Sequence, residues 1–259
     1  MTTNPGGDRP ILAGKVAIVT GSGQGVGRGI AVAMAAAGAS VVLAGRTISK
    51  CERVAKEVTE RGGSAIAVRC DVKSRSDIDD CVSAAVDRFG SIDILVNNAQ
   101  EVVRGPLLDV SDDDMAASWE SGPLATLRFM QACHSYLCGG GVVINLASRA
   151  GVKPDPINCG PYAAVKEAIR VLTRTAAWEW APDGIRTVAL LPLANSPALE
   201  QFALSDPEAY ARTLAGIPMG RFGDAETDIG KVAVFLASDD ARYLTGLTVP
   251  VDGGAAHVG

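Results

Sequence analysis

A glycine-rich turn between an apolar run and an alanine-rich segment restricts most strongly what this chain can fold into. Residues 16–19 are apolar and mostly β-branched, and Thr20, Gly21, Gly25 and Gly27 follow in the pattern T-G-x-x-x-G-x-G. Apolar residues then recur at helical spacing, at Ile30, Ala33, Met34 and Ala37. This order predicts the opening of a βαβ unit, in which backbone N–H groups and the helix N-terminus bind a phosphate. The alternative is the same turn without a ligand.

Strand-like and helix-like segments alternate over most of the remaining chain. Strands are predicted at residues 40–44, 65–68, 92–96, 142–146, 185–191 and 247–251, and helices at residues 49–61, 74–90, 111–137, 162–181 and 226–237. Residues 192–218 are predicted to be irregular, with short helical pieces. The alternation predicts one α/β domain at residues 11–259, a Rossmann-type doubly wound parallel sheet of about seven strands with helices on both faces. Residues 1–10 are polar and predict a flexible tail.

The helix predicted over residues 111–137 has a strong N-terminal capping signal and contains an internal proline. Ser111 is followed by a run of aspartates, and a serine N-cap with carboxylates in the first turn stabilises a helix start. Pro123 lacks an N–H donor and its ring clashes with the preceding turn, so we expect an interruption at Gly122-Pro123. Ser74 or Ser76 is expected to cap the preceding helix.

Composition limits the partners that this chain can take. The net charge is −5, so there is no basic field for nucleic acid or an anionic membrane. No stretch approaches the ~20 consecutive apolar residues of a membrane span. We therefore expect a cytoplasmic protein that acts on a small molecule.

The six cysteines are scattered and form no C-x-x-C pair. Cys133, His134 and Cys138 are close in sequence, and a metal cluster there is the alternative to buried or surface thiols. We predict free thiols, no metal site and a reducing compartment.

Tyr162 and Lys166 are four residues apart at the start of a predicted helix, so their side chains share one face. An ammonium near a phenol lowers the phenol's pKa, and such a tyrosine can give a proton to a carbonyl oxygen or take one from an alcohol. Ser148, just after the predicted strand at residues 142–146, could hydrogen-bond the same oxygen. By itself the pair favours an ordinary surface helix pair, and only the other motifs favour the catalytic interpretation.

The motifs taken together have a specific order. They are the glycine turn, Asp71-Val72, Asn97-Asn98-Ala99, Ser148, Tyr162-x-x-x-Lys166 and Val251-Asp252-Gly253-Gly254. From about residue 14 to residue 254 the chain resembles the short-chain dehydrogenases/reductases. The resemblance implies that Tyr162 is the general acid/base, that Lys166 tunes it and holds the nicotinamide ribose, and that Ser148 orients the substrate oxygen. It implies a homotetramer or homodimer and cofactor contacts from Gly21, Ser22, Gln24, Gly25, Val26, Gly27, Asp71, Val72, Asn98, Ala99, Tyr162, Lys166 and Pro192.

Cofactor choice depends on the end of the second predicted strand. A carboxylate there would bind the adenosine ribose and repel a 2′-phosphate, but the residues are Gly45 and Arg46. A guanidinium can pair with a phosphate through two hydrogen bonds, so we predict NADP(H). The alternatives are an Arg46 that only stacks on the adenine, and NAD(H) as cofactor.

Three positions depart from the family pattern. Gly122 stands where the family usually has a catalytic asparagine, so no side chain there can hold the water of the proton relay. Gln100 replaces the glycine of Asn-Asn-Ala-Gly and could supply the relay or contact substrate. Leu193 replaces the glycine after Pro192 and could project into the substrate pocket.

The substrate pocket is predicted to be apolar. The apolar loop at residues 194–204 could form a mobile lid over a hydrophobic substrate, or serve only packing or a subunit contact. Arg149 could meet an anionic group of the substrate, or be solvated. Gln100, Arg149 and Leu193 are the candidate substrate contacts.

Three functions fit these residues. The first is an NADP(H)-dependent oxidoreductase that interconverts a ketone and a secondary alcohol. The second is a redox-neutral epimerase, dehydratase or cyclase on the same scaffold. The third is a non-catalytic NADP-binding protein, which would be expected to lose the whole constellation rather than the asparagine alone.

Overall fold

Seven parallel strands form one central sheet in the order β3-β2-β1-β4-β5-β6-β7. The computed structural model describes residues 9–103, 105–152 and 160–256, so most of the predicted tail lies outside the described residues. The strands are β1 Val16–Thr20, β2 Ser40–Gly45, β3 Ser64–Arg69, β4 Ile94–Asn97, β5 Val142–Leu146, β6 Arg186–Pro192 and β7 Thr248–Val251. The predicted single-domain, doubly wound fold is therefore confirmed.

Helices cover both faces of the sheet because its central strands are apolar on both sides. In β1, Ala17 and Val19 pack into one buried cluster, while Ile18 packs into the other. The helices are α1 Gly25–Ala36, α2 Ile48–Glu60, α3 Arg75–Phe89, α4 Asp112–Trp119, α5 Ala125–Leu137, α6 Arg149–Val152, α7 Gly160–Glu179, α8 Pro197–Ser205, α9 Pro207–Ala215 and α10 Lys231–Ala237. Within the described part of the chain, no helix has the length and apolar character that crossing a bilayer requires.

Local capping signals specify several helix starts. Ser74 accepts a hydrogen bond from the Asp77 amide and caps α3, and Ser111 forms a reciprocal capping box with Asp114 at the start of α4. The short helical pieces predicted within residues 192–218 are present as α8 and α9. Ser196 accepts a hydrogen bond from the Leu199 amide and caps α8, Asp206 accepts one from the Ala209 amide and caps α9, and a proline follows each cap in the first helical turn.

The expected interruption at Gly122-Pro123 is a widened turn rather than a break. A π-helical turn at Glu120–Leu124 joins α4 to α5. Pro123 lies inside this turn, where the extra residue accommodates its ring and its missing donor. The turn packs against α7, which carries Tyr162 and Lys166. It joins α4 to α5 without a break next to the candidate site.

The end of β1 is fastened to the end of β4, at the point where the strand order reverses. Thr20 Oγ1 accepts hydrogen bonds from the Asn98 amide (2.9 Å) and the Ala99 amide (3.0 Å). Asn98 Nδ2 donates in return to the Thr20 carbonyl (2.8 Å) and the Gly21 carbonyl (3.2 Å). Ligands of open α/β sheets bind at such a reversal, beyond the carboxyl ends of the strands. This junction therefore fixes the position of the glycine turn.

Replacing Thr20 by valine removes the acceptor for two amides at this junction. Thr20 is 2% exposed, so we expect Thr20→Val to lower the free energy of unfolding. The loss should be about 1–3 kcal/mol, the cost of leaving buried donors unpaired, measured by urea denaturation. In the control Thr59→Val, which removes an exposed hydroxyl bonded within α2, the change should stay within about 0.5 kcal/mol. Equal losses in both variants would contradict a special role for Thr20.

Candidate active site

A cavity of about 350 Å³ runs along the glycine turn. Nearly all the residues predicted to hold the phosphates and the adenosine line it: Gly21, Gln24, Gly25, Val26, Gly27, Arg46, Asp71, Val72, Asn98 and Ala99. Ser22 differs, because it is fully buried and its amide donates to the Ala44 carbonyl (3.4 Å). It is not among the described residues that line the cavity.

The N-terminus of α1 forms one wall of this cavity. Gly21 and Gly25 have φ values of 65° and 57°, which favour glycine, and they turn the chain from β1 into the helix. The N-cap residue Gln24 makes no side-chain capping bond, and the first turn contains no acidic residue. The first N–H groups of a helix have no partner within it, so this end of α1 is suited to an anionic phosphate.

Arg46 directly follows β2 on the first cavity and is paired with a carboxylate. Its guanidinium forms an ion pair with Glu101, which follows β4, and Lys73 Nζ lies 3.2 Å from the same carboxylate. Arg46 remains 58% exposed at its side chain. Sequence reasoning missed Glu101, because the two partners are 55 residues apart and only the strand order brings them together.

A second cavity, of about 330 Å³, adjoins the first and shares Val26, Asn98, Gln100 and Ser196 with it. The three predicted catalytic residues, Ser148, Tyr162 and Lys166, line it together with Pro192. Ser148 follows β5, while the other two lie in the first turns of α7. The structure thus brings the three residues predicted to be catalytic together around one cavity.

Lys166 is the most constrained residue of the group. It is 3% exposed, its Nζ donates to the Leu146 carbonyl (2.6 Å), and Nζ lies 5.5 Å from the centre of the Tyr162 ring. Burial lowers the pKa of Lys166 to about 7. A lysine of this pKa can take up and release a proton near neutrality, and its charged form favours the phenolate of its neighbour.

Apolar side chains form most of the rest of the second cavity. Leu193, Leu199, Phe202, Val102 and Phe222 line it, and so do Gln100, Arg149 and Thr213. The three candidate substrate contacts therefore all lie on this cavity. The Leu193 backbone is fixed on both sides, because its amide donates to Val251 and its carbonyl accepts from Gly223, each at 3.0 Å. Its side chain packs with the apolar cluster around Phe222.

The sequence suggested a possible metal cluster of Cys133, His134 and Cys138, but the structure brings together a different group of possible ligands. Cys133 is fully buried and burial raises its pKa to about 12, and it does not belong to the group of possible ligands that the described residues bring together at the surface. The ligand atoms of His134, Cys138 and Asp183 lie within 4.8 Å of one another at the surface. His134 Nε2 is 3.1 Å from the Asp183 carboxylate, which orients the ring without an ion. Cys159 lies outside the described residues, and the absence of a metal stays a prediction.

Comparison with known proteins agrees with this geometry. The family model described as enoyl-(acyl carrier protein) reductase matches residues 21–256. A 12α-hydroxysteroid dehydrogenase from Clostridium sp. is 45% identical over 254 residues, covering 94% of this chain and 97% of the relative. The chain belongs to the short-chain dehydrogenase/reductase family.

Two solved members of the family have nearly the same fold. A 7α-hydroxysteroid dehydrogenase, complexed with NADH and 7-oxo glycochenodeoxycholic acid, has a TM-score of 0.90 at 32% identity, with 96% of this chain and 97% of that chain covered. A short-chain dehydrogenase from Burkholderia cenocepacia in complex with NADP has a TM-score of 0.87 at 28% identity, with 95% and 99% covered. These neighbours bind nicotinamide cofactors of both kinds.

The burial of Lys166 predicts a pH-dependent stability. Its pKa is about 7 in the folded chain against an ordinary value of 10.5, so between these values the unfolded chain holds more protons. This group alone therefore makes the free energy of unfolding rise with pH, by about 1.4 kcal/mol per pH unit. Lys166→Met should be more stable relative to wild type at pH 6 than at pH 10, as urea titrations at several pH values would show.

Lys56→Met provides the matched control, since Lys56 is 78% exposed at its side chain. Its stability should follow the wild-type pH dependence. A Lys166→Met curve parallel to wild type between pH 6 and pH 10 would mean that Lys166 titrates as an ordinary surface lysine.

Proposed function

We propose that this chain is an NADP(H)-dependent oxidoreductase that interconverts a ketone and a secondary alcohol on an apolar small molecule, with Tyr162 as general acid/base. The observation that carries the proposal is the Tyr162–Lys166 pair on the wall of an apolar cavity that adjoins the phosphate-binding turn. The nicotinamide, when bound, supplies or accepts the hydride. The remaining chemistry is proton transfer and orientation by this chain's own residues.

In the reductive direction Tyr162 gives its phenolic proton to the oxygen of the ketone. Lys166 in its charged form stabilises the phenolate that is left and can return a proton to it. Ser148 hydrogen-bonds the same oxygen and holds it near the phenol. The Ser148 hydroxyl also accepts a hydrogen bond from the Ala150 amide (3.2 Å), which leaves its proton for the substrate. In the oxidative direction the tyrosine takes the proton from the alcohol.

Hydroxysteroids are the substrate class that we propose first. The second cavity is lined by Leu193, Leu199 and Phe202, and its volume is in the range of small-molecule sites. A fused, rigid ring system presents an apolar surface with isolated hydroxyl or keto groups. This matches a cavity that is lined mostly by apolar side chains and has Ser148 and Tyr162 as polar groups. Relatives named for hydroxysteroids support this choice, and Arg149 is proposed to contact an anionic substituent.

The cofactor preference is proposed from charge. The end of β2 offers Arg46 and no carboxylate, and Lys50 lies on the same cavity with its Nζ bonded to Gln24 Oε1 (2.7 Å). Glu101 opposes this preference, since it occupies the Arg46 guanidinium. A 2′-phosphate must replace or share that ion pair. NAD(H) remains the alternative, favoured if Glu101 keeps Arg46 in the complex.

Assembly of two or four copies is part of the proposal. Large apolar side chains remain exposed on α4, α5 and α7, namely Trp119, Tyr136, Val171 and Trp178. We propose that a partner copy covers these side chains.

Loss of the Tyr162 hydroxyl should strongly reduce turnover while the cofactor still binds. We expect wild type to consume NADPH with a panel of 3-, 7- and 12-oxo steroids, followed by absorbance of the reduced nicotinamide. Tyr162→Phe should lower kcat by about 10²–10⁴, the contribution of general acid–base catalysis, with an unchanged dissociation constant for NADPH. Tyr210→Phe is the control, because Tyr210 packs on Phe222 through its ring. Product formed without any change in cofactor would instead indicate redox-neutral chemistry.

The charges at the adenosine end should set the cofactor ratio. Arg46→Ala should weaken NADPH binding by about tenfold or more and leave NADH binding within a few-fold, because only NADPH carries the phosphate that pairs with the guanidinium. Glu101→Gln should have the opposite effect, strengthening NADPH binding by freeing Arg46 and Lys73. Both are measured by fluorescence titration, and an unchanged NADPH/NADH ratio in both variants would refute the assignment.

A further inference from the structure

The backbone conformation of Gly45, the last residue of β2, does not require glycine. Its φ lies outside the left-handed region that favours glycine, which Gly21 and Gly25 occupy. A residue with a side chain can therefore adopt this backbone. Gly45 also lines the first cavity, so a side chain here would begin beside the space proposed for the adenosine. The reason for the glycine lies in its surroundings.

The sulfur of Cys51 occupies the place where a side chain on Gly45 would begin. A Cβ built on Gly45 would lie 2.9 Å from Cys51 Sγ, and real Cβ atoms essentially never make contacts below 3.0 Å. No other described atom outside residues 44–46 comes within 4 Å of that Cβ. One sulfur atom is therefore the obstacle to a side chain at position 45.

The packing around Cys51 keeps the sulfur in this place. Cys51 lies in the first turn of α2, is 1% exposed and belongs to the buried cluster that also contains Leu43 and Val54. Within a helix a χ1 angle near +60° is rare, which leaves two rotamers for the thiol. Burial raises the pKa of Cys51, so the group that faces Gly45 is a neutral thiol. Displacing it disturbs a packed interior.

A side chain at position 45 would affect which nucleotide the first cavity accepts. A carboxylate at the end of the second strand of such a unit accepts hydrogen bonds from the adenosine ribose and repels a 2′-phosphate. At position 45 this carboxylate would also directly precede Arg46, and it would compete with the phosphate for the guanidinium. The contact between Cys51 and Gly45 opposes any such substitution.

We propose that Cys51 is a specificity-determining residue of the nucleotide site, because its sulfur keeps position 45 free of a side chain and the cavity open to a phosphorylated ribose. The inference rests on the proposed function. It differs from the roles of Arg46 and Glu101, whose charges attract or oppose the phosphate, since Cys51 acts by occupying space. A change of preference to NADH therefore needs substitutions at both positions 45 and 51.

Nucleotide titrations test this coupling. In Gly45→Asp the carboxylate meets the sulfur, so we expect weak binding of both NADPH and NADH. In Gly45→Asp/Cys51→Ala the carboxylate has room. NADH should then bind at least about tenfold more tightly than to Gly45→Asp, and NADPH at least about tenfold more weakly than to wild type. Dissociation constants are measured by fluorescence titration.

Two further variants serve as controls. Gly45→Asp/Cys138→Ala removes an exposed thiol at the end of α5 instead, and should bind both nucleotides as Gly45→Asp does. Gly45→Asn/Cys51→Ala has nearly the same size without the charge, so it should bind NADPH more tightly than the aspartate double variant. A Gly45→Asp chain that binds NADH as tightly as Gly45→Asp/Cys51→Ala would overturn the inference, since the sulfur would then be no obstacle.

A measurement without nucleotide distinguishes failure of this inference from failure of the proposed function. Gly45→Ala adds only the Cβ, and its melting temperature should fall by about 2–4 °C or more. In Gly45→Ala/Cys51→Ala the new Cβ enters the space left by the sulfur, so the double variant should melt above Gly45→Ala. Losses that simply add would overturn the inference, whatever the titrations show. A wild type that reduces no ketone, with the coupling and the NADH gain present, would refute the function and keep the inference.

Discussion

Hydrogen bonds of the Thr20 hydroxyl and of the backbone and side-chain amides of Asn98 join the end of β1 to the end of β4. Both cavities lie at this junction. The segments that follow two adjacent strands turn to opposite sides of the sheet where the strand order reverses, so backbone groups at the strand ends need partners outside the sheet. Thr20 and Asn98 provide them reciprocally. Their hydrogen bonds hold the glycine turn against the segment that continues into Gln100 and Glu101. The position of the glycine turn relative to the second cavity, and hence of the proposed phosphate site relative to the proposed catalytic residues, follows from this contact.

The burial of Lys166 beside the second cavity is unfavourable for the free energy of folding. A charged ammonium is unfavourable away from water, and the Leu146 carbonyl offers only one hydrogen bond to it. The fold nevertheless keeps this side chain inside, because α7 packs Val165 and Ile169 against the sheet and carries Lys166 with them. The same burial lowers the pKa of Lys166 to about 7, a value that suits the proton exchange we propose for this residue.

Local patterns predicted the sheet, the glycine turn and the helix starts, because each depends on residues that are near in sequence. The caps at Ser196 and Asp206 carry the same kind of signal, and the sequence predicted short helical pieces within residues 192–218 without their bounds. The Arg46–Glu101 pair and the packing of the Gln100 amide against Gly122 join distant segments, so no local pattern could show them. The form of the π-helical turn at Pro123 depends on packing against α7, which the residues around the proline do not encode.

The central claim is that this chain uses the tyrosine and the adjoining nucleotide site for hydride transfer between a nicotinamide and a carbon that carries oxygen. Incubation with NADPH deuterated at the transferable position of C4 and a 12-oxo steroid, followed by mass spectrometry of the product, tests this claim most directly. Hydride transfer predicts an alcohol with one deuterium at the carbinol carbon, formed in proportion to NADP⁺. A product without deuterium, or none with any of the oxo steroids, would contradict the account.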